Sequence, residues 1–264
     1  MSKLMPTLSQ RRARSQGFSL VELLVSLVIA LFLIGGVLAV VQDTRRAATS
    51  QTQSTQLQDS VRLAMTILTD VIQTAGYYSD PVNSNANGSL GLVAPFAAGQ
   101  AVSGTGAFLA AAPGDTISVR YQTANNDGIL NCGGTSNTTG ANEIFVNTFS
   151  VDNLGNLICA LTSAAGTTNI PLISASTGGV NPLQVTKLQV LYGVQTNFAL
   201  GNQCADSYMD AAQVSATTIN TYPAWNYVVS VRITLTFTNP GNINLPPVQV
   251  TRVIGIMSKM GVVT

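Results

Sequence analysis

Residues 23–41, LLVSLVIALFLIGGVLAVV, contain no charged side chain. No other stretch constrains the fold as tightly. At ~1.5 Å per residue the run spans about 28 Å as a helix, close to the ~30 Å thickness of a bilayer's hydrocarbon layer. Lys3, Arg11, Arg12 and Arg14 precede it with no acid among the first 17 residues, whereas Asp43, Arg45 and Arg46 follow it. That bias predicts a cytoplasmic N-terminus and an exported remainder. Gly35 and Gly36 weaken the helix by about 1 kcal/mol each relative to Ala, and outside lipid they mark where it can unwind. Glu22 is the misfit, since a carboxylate in an apolar region costs roughly 2.5–3.5 kcal/mol on insertion scales. It needs either a cationic partner or a place at headgroup level from which it reaches water.

The helix is predicted to run on past the bilayer. Residues 42–56 hold no Pro, Gly or large apolar group, and then Leu57, Val61, Ala64, Leu68, Val71 and Ala75 recur at helical spacing. These positions form a single apolar stripe, with Gly76 as its terminator. A helix from Phe18 to Ala75 would be about 87 Å long. The alternative is a membrane helix, a flexible linker and a separate amphipathic helix.

Residues 77–115 are rich in small and turn-forming residues and read as a long irregular connection. Strand patterns follow at 116–123, 143–151 and 156–161, the last two flanking the turn Asp152–Gly155 as a hairpin. Leu188, Val190, Tyr192 and Val194 share one face of another strand. Val229, Val231, Ile233, Leu235 and Phe237 alternate with polar residues as a half-buried antiparallel strand, and a final strand is expected near 248–257. The predicted fold class is α+β, a long N-terminal helix whose C-terminal part packs on a mostly antiparallel sheet. The expected divisions are 1–17, 18–41, 42–76 and 77–264. Tyr192, Trp225 and the strand 229–237 read as core.

Composition removes several chemistries. The chain has no His, which excludes Ser-His-Asp and Cys-His catalysis and any His-ligated metal. Charged residues make up 9%, against about 25% in an average soluble protein, which suits an exported protein. Without the four leader cations, eight basic side chains face eleven acidic ones, so nucleic acid is not expected as a direct ligand. Asp206 and Asp210 could form an acid/base pair, but acids in a polar loop are usually solvated. NNDG and DNLGN read as turns rather than calcium loops. No nucleotide-binding signature is present, and neither catalytic residues, a cofactor nor a metal is expected. Cys132, Cys159 and Cys204 contain no C-x-x-C. A Cys132–Cys159 disulfide is favoured, because a hairpin lies between them and can bring the ends together; it would contribute roughly 3–4 kcal/mol. Three unpaired thiols are the alternative, and Cys204 has no evident partner.

The sequence RRARSQG followed by FSLVELLVSLVIALFLIGG resembles the class III signal of type IV prepilins. That resemblance implies cleavage by a prepilin peptidase after Gly17, N-methylation of Phe18, and a role in subunit assembly for Glu22. The freed Phe18 amine would supply the missing cation, and in a helical stack Glu22 can face the amine of a neighbour. LQVLYGVQT (188–196), ADSYMDAAQV (205–214) and WNYVVSVRITLTF (225–237) resemble PilW-type minor pilins, relatives of the J-type pseudopilins of type II secretion. This implies an inner-membrane protein, head in the periplasm, that moves to the pilus at the cell surface. There its expected partners are the major pilin and other minor pilins, and its expected roles initiation of assembly near the tip, twitching motility and adhesion. A J-type minor pseudopilin of a type II secretion system is the alternative.

Overall fold

The computed structural model describes residues 19–107, 111–175, 183–198, 204–239 and 244–259. Helix α1 runs unbroken from Leu20–Gln73, so no flexible linker interrupts it. The polar stretch after residue 41 stays helical partly because its hydroxyls turn inward on the helix. Thr44 and Thr49 donate to the carbonyls of Val40 and Arg45 at 2.8 and 2.9 Å, so these side chains do not compete for backbone amides elsewhere. The chain divides into two compact units after Gln51.

Within the second unit the apolar stripe of α1 is the central element of the core. Leu57, Ala64, Met65, Leu68, Val71, Ile72 and Ala75 are buried in one cluster with residues of both sheets. Gly76 ends the helix at φ +76°, and its N–H donates to the Arg120 carbonyl at 2.9 Å. The left-handed backbone there suits only glycine without strain.

The first sheet is a five-stranded antiparallel meander, β1(Val102–Thr105), β2(Thr116–Thr123), β3(Glu143–Val151), β4(Leu157–Ser163) and β5(Gly166–Ile173), in chain order. The second has the order β11-β10-β6-β7, from β6(Val185–Val194), β7(Ser207–Met209), β10(Val228–Phe237) and β11(Val248–Gly255), again antiparallel. Short elements α2(Ala86–Ser89), α3(Ala211–Ala216), β8(Thr218–Ile219) and β9(Tyr222–Pro223) complete the described chain, with 3-10 turns over Ala224–Tyr227 and Met257–Lys259. This is an α+β architecture.

Three details depart from the sequence reading. Residues 77–115 are not uniformly irregular: they hold α2 and the edge strand β1, and between these the carbonyls of Ala97 and Gln100 accept from Arg120. The alternation of β10 is interrupted at its start, where pairing shifts between Val228 and Ser230. Val228 and Val229 are therefore both buried, as a bulge puts adjacent side chains out of strict alternation. Strand β5 gave no sequence signal because six of its eight residues, GTTNIP, lack a period-2 apolar pattern and include a proline suited to an edge.

The two sheets are joined at residues 113–115. Leu188 donates to the Pro113 carbonyl at 3.0 Å, Asp115 N–H donates to the Leu188 carbonyl at 2.8 Å, and Val190 N–H donates to Asp115 Oδ2 at 2.8 Å. A Cβ on Gly114 would stand 2.0 Å from the Leu188 oxygen, so only glycine admits this close approach.

Candidate functional site

Residues 20–41, in the N-terminal half of α1, are exposed along their whole length. The most apolar 18-residue window of α1 has a mean hydropathy of 3.0 and no buried residue, and it is long enough to cross a membrane. Leu24, Leu31, Phe32, Ile34 and Val37 are all more than half exposed. Water does not tolerate so large a contiguous apolar surface, so lipid or other chains must cover it. An added Cβ at Gly35 or Gly36 meets no atom within 4 Å, so no contact among the described residues requires glycine at either position.

Glu22 lies in the first turn of this helix. Helix N-termini leave amides without intrahelical acceptors and favour negative charge. Leu23 N–H already donates to the Ser19 carbonyl at 3.1 Å, and among the described residues no cation lies against the Glu22 carboxylate. Gly17 and Phe18 fall outside the described residues. What the structure contributes is therefore the setting of Glu22: an exposed acid at the head of an uncovered apolar helix.

In the head, the sequence-flagged residues turn out to build turns. Cys132 and Cys159 form a disulfide with an S–S distance of 2.01 Å across 27 residues, while Cys204 is a free, exposed thiol. Asp206 accepts from the Thr196 N–H and hydroxyl and from the Asn197 N–H. Burial resists its ionisation, but those donors outweigh it and hold its pKa below the ordinary range. Asp210 caps α3, accepting from Gln213 N–H at 2.8 Å in a capping box. Each carboxylate thus accepts from backbone amides of its own neighbourhood. Asp152 accepts from the N–H groups of Leu154 and Asn156, and the Asn156 side chain foremost lowers its pKa. Asp127 accepts from Ala124 and Ile129 N–H in the same way. Among the described residues no cluster of three metal-ligating side chains occurs.

Arg120 and Asp115 are buried charges that the sequence does not announce. Arg120 is 1% exposed, and burial lowers its pKa. Its guanidinium donates to the carbonyls of Gln100, Gly91, Leu90 and Ala97 at 2.6, 2.7, 3.2 and 2.6 Å and lies 4.7 Å from the Phe96 ring centroid. Asp115 is 3% exposed, and its Oδ1 has no hydrogen-bond partner. Burial raises its pKa, against the pull of the Val190 N–H and Lys187. A cation inside TISVRYQT was the only available hint of the first, and nothing in the sequence distinguished the second.

Comparison with protein families finds two matches. The model described as Prokaryotic N-terminal methylation motif covers residues 12–38, spanning the junction at Gly17 and most of the uncovered helix. The model described as Type IV Pilus-assembly protein W covers residues 137–246, which takes in β3 to β10 and so most of both sheets. No curated protein and no solved structure matches the chain.

Proposed function

We propose that this type IV minor pilin, identified by its matches to the N-terminal methylation motif and to Type IV Pilus-assembly protein W, helps to initiate pilus assembly near the fibre tip. The reading continues to cleavage after Gly17 by a prepilin peptidase and methylation of the new Phe18 amine. The observation that carries it is the coincidence of the methylation motif with an apolar helix half that is exposed among the described residues. Before assembly the inner membrane covers that surface, with the N-terminus cytoplasmic and the head periplasmic; afterwards the helices of other minor pilins and of the major pilin cover it. A carboxylate moved into such a bundle needs a cation, and the cleaved terminus of an adjacent subunit supplies one to Glu22. The head takes no catalytic part in this scheme, and twitching and adhesion follow from the fibre.

A J-type pseudopilin of a type II secretion machine would share the helix and its processing. The match to Type IV Pilus-assembly protein W favours the pilus. Mass spectrometry of sheared pili tests both points. The chain is expected in the pilus fraction with N-methylated Phe18 as its first residue, and its deletion is expected to deplete surface pili while leaving type II secretion intact. A mature terminus elsewhere overturns the processing; lost secretion with normal pili transfers the chain to the other machine.

A further inference from the structure

The outer face of the sheet β11-β10-β6-β7 presents a cation without an acceptor among the described residues. Three arginines lie in strands. Arg120 is taken up by four carbonyls, and Arg252 donates to Met65 O and Thr69 Oγ1 of α1. Arg232, in the middle of β10, has only a ring: its guanidinium carbon lies 5.0 Å from the Tyr208 centroid. Among the described residues no carboxylate or carbonyl accepts from it, and the four strands of this sheet contain no Asp or Glu.

Arg232 stands opposite Val253 on one side and Leu191 on the other. Gln189, Leu191, Thr234 and Thr251 frame a hollow of about 180 Å³ beside it, room for one carboxylate side chain. Tyr208 and Val253 remain 39% and 55% exposed. The guanidinium offers a planar fork of donors, the geometry that grips a carboxylate through two parallel hydrogen bonds.

We infer that this sheet face docks another protein chain of the fibre, which places an Asp or Glu on Arg232 while its apolar atoms cover Tyr208 and Val253. A free anion gains little here, because an exposed ion pair in water is worth about 0–1 kcal/mol. A protein segment that also covers the aromatic and aliphatic neighbours excludes water and strengthens the same pair. Arg and Tyr are the residue types that most often anchor such contacts. Nucleic acid is poorly served by a face whose only other cation is Lys187. The inference rests on the reading that this chain assembles with others, and it adds the face and the chemistry.

The test places a photo-crosslinking residue at Thr251 of the full chain in piliated cells and identifies the adducts by mass spectrometry. The expected adduct is a protein segment with an Asp or Glu near the crosslink. Arg232→Glu is expected to lower its yield about tenfold, and exchanging the partner's acid for Arg is expected to restore it. If Arg232→Glu fails to accumulate, Arg232→Gln is read in the same way. Adducts insensitive to Arg232, adducts only to lipid, polysaccharide or DNA, or no adducts overturn the inference. If the unlabelled chain reaches the pilus fraction in that case, the assembly reading stands without it; if the chain is missing from pili, the failure lies with assembly itself.

Discussion

At the scale of single residues, Arg120 is a charge fully answered by its neighbours, whereas no cation among the described residues lies against Glu22. It sits exposed in the first turn of α1, so its removal costs the isolated subunit little beyond a favourable charge at a helix N-terminus. Glu22→Ala is therefore expected to insert and be processed normally yet to enter pili poorly. Comparing variant and wild-type incorporation in sheared fibres checks this, and equal amounts would count against it. Asp115 is the opposite case, a carboxylate held inside with one oxygen unpaired. Its folded pKa lies above its unfolded value, so the folded state binds the proton more tightly. The favourable contribution is complete below the ordinary carboxylate pKa of about 3.9 and is lost as pH rises through the elevated folded pKa. Asp115→Asn, which keeps an acceptor for Val190, should gain on the wild type as pH rises from 4 to 7. Urea midpoints for the pair across that range, followed by the fluorescence of the single Trp225, would run parallel if the idea is wrong.

Elements show how local pattern and tertiary demand divide the work. The stripe from Leu57 to Ala75 reads as an amphipathic helix because its spacing matches one helical face, and that face is the buried one. The hairpin β3–β4 forms around Asp152 because the carboxylate takes up two amides of the turn. The segment between α1 and β2 has no periodic signal, since it is organised from outside itself. Four of its carbonyls are held by one guanidinium, a contact that spans 20 to 30 residues of sequence. Arg120→Met is expected to strand those acceptors and cost about 3 kcal/mol or more. Faster amide exchange over residues 90–101 should accompany the loss, and unchanged protection there would refute the assignment.

For the molecule as a whole, the boundary that matters lies within a helix. The part of α1 after Thr52 supplies Leu57, Met65, Leu68, Val71 and Ile72 to the core shared with both sheets. Burying each side chain of this kind contributes about 1.5–3 kcal/mol, and together they match a typical domain stability of about 5–15 kcal/mol. A chain beginning at Thr52 is expected to unfold cooperatively in urea with Trp225 as reporter. One beginning at Tyr77 should show no such transition. Cooperative unfolding of the shorter piece would mean that the helix merely rests on a self-sufficient head.

The amino-acid sequence by itself determined the features that depend on local period and composition. These are the apolar span, the misplaced Glu22 behind a Gly-Phe junction, the helical stripe, the main strands and the hairpin beside Cys159. Each is written in neighbouring residues, because helix and strand repeat over a few positions. Tertiary structure alone decided that Asp115 and Gly114 join the two sheets, that Arg120 organises a distant segment, and that Arg232 is left facing outward. Those roles depend on which groups the fold removes from water and which partners it brings within about 3 Å of them, and no local pattern carries that information.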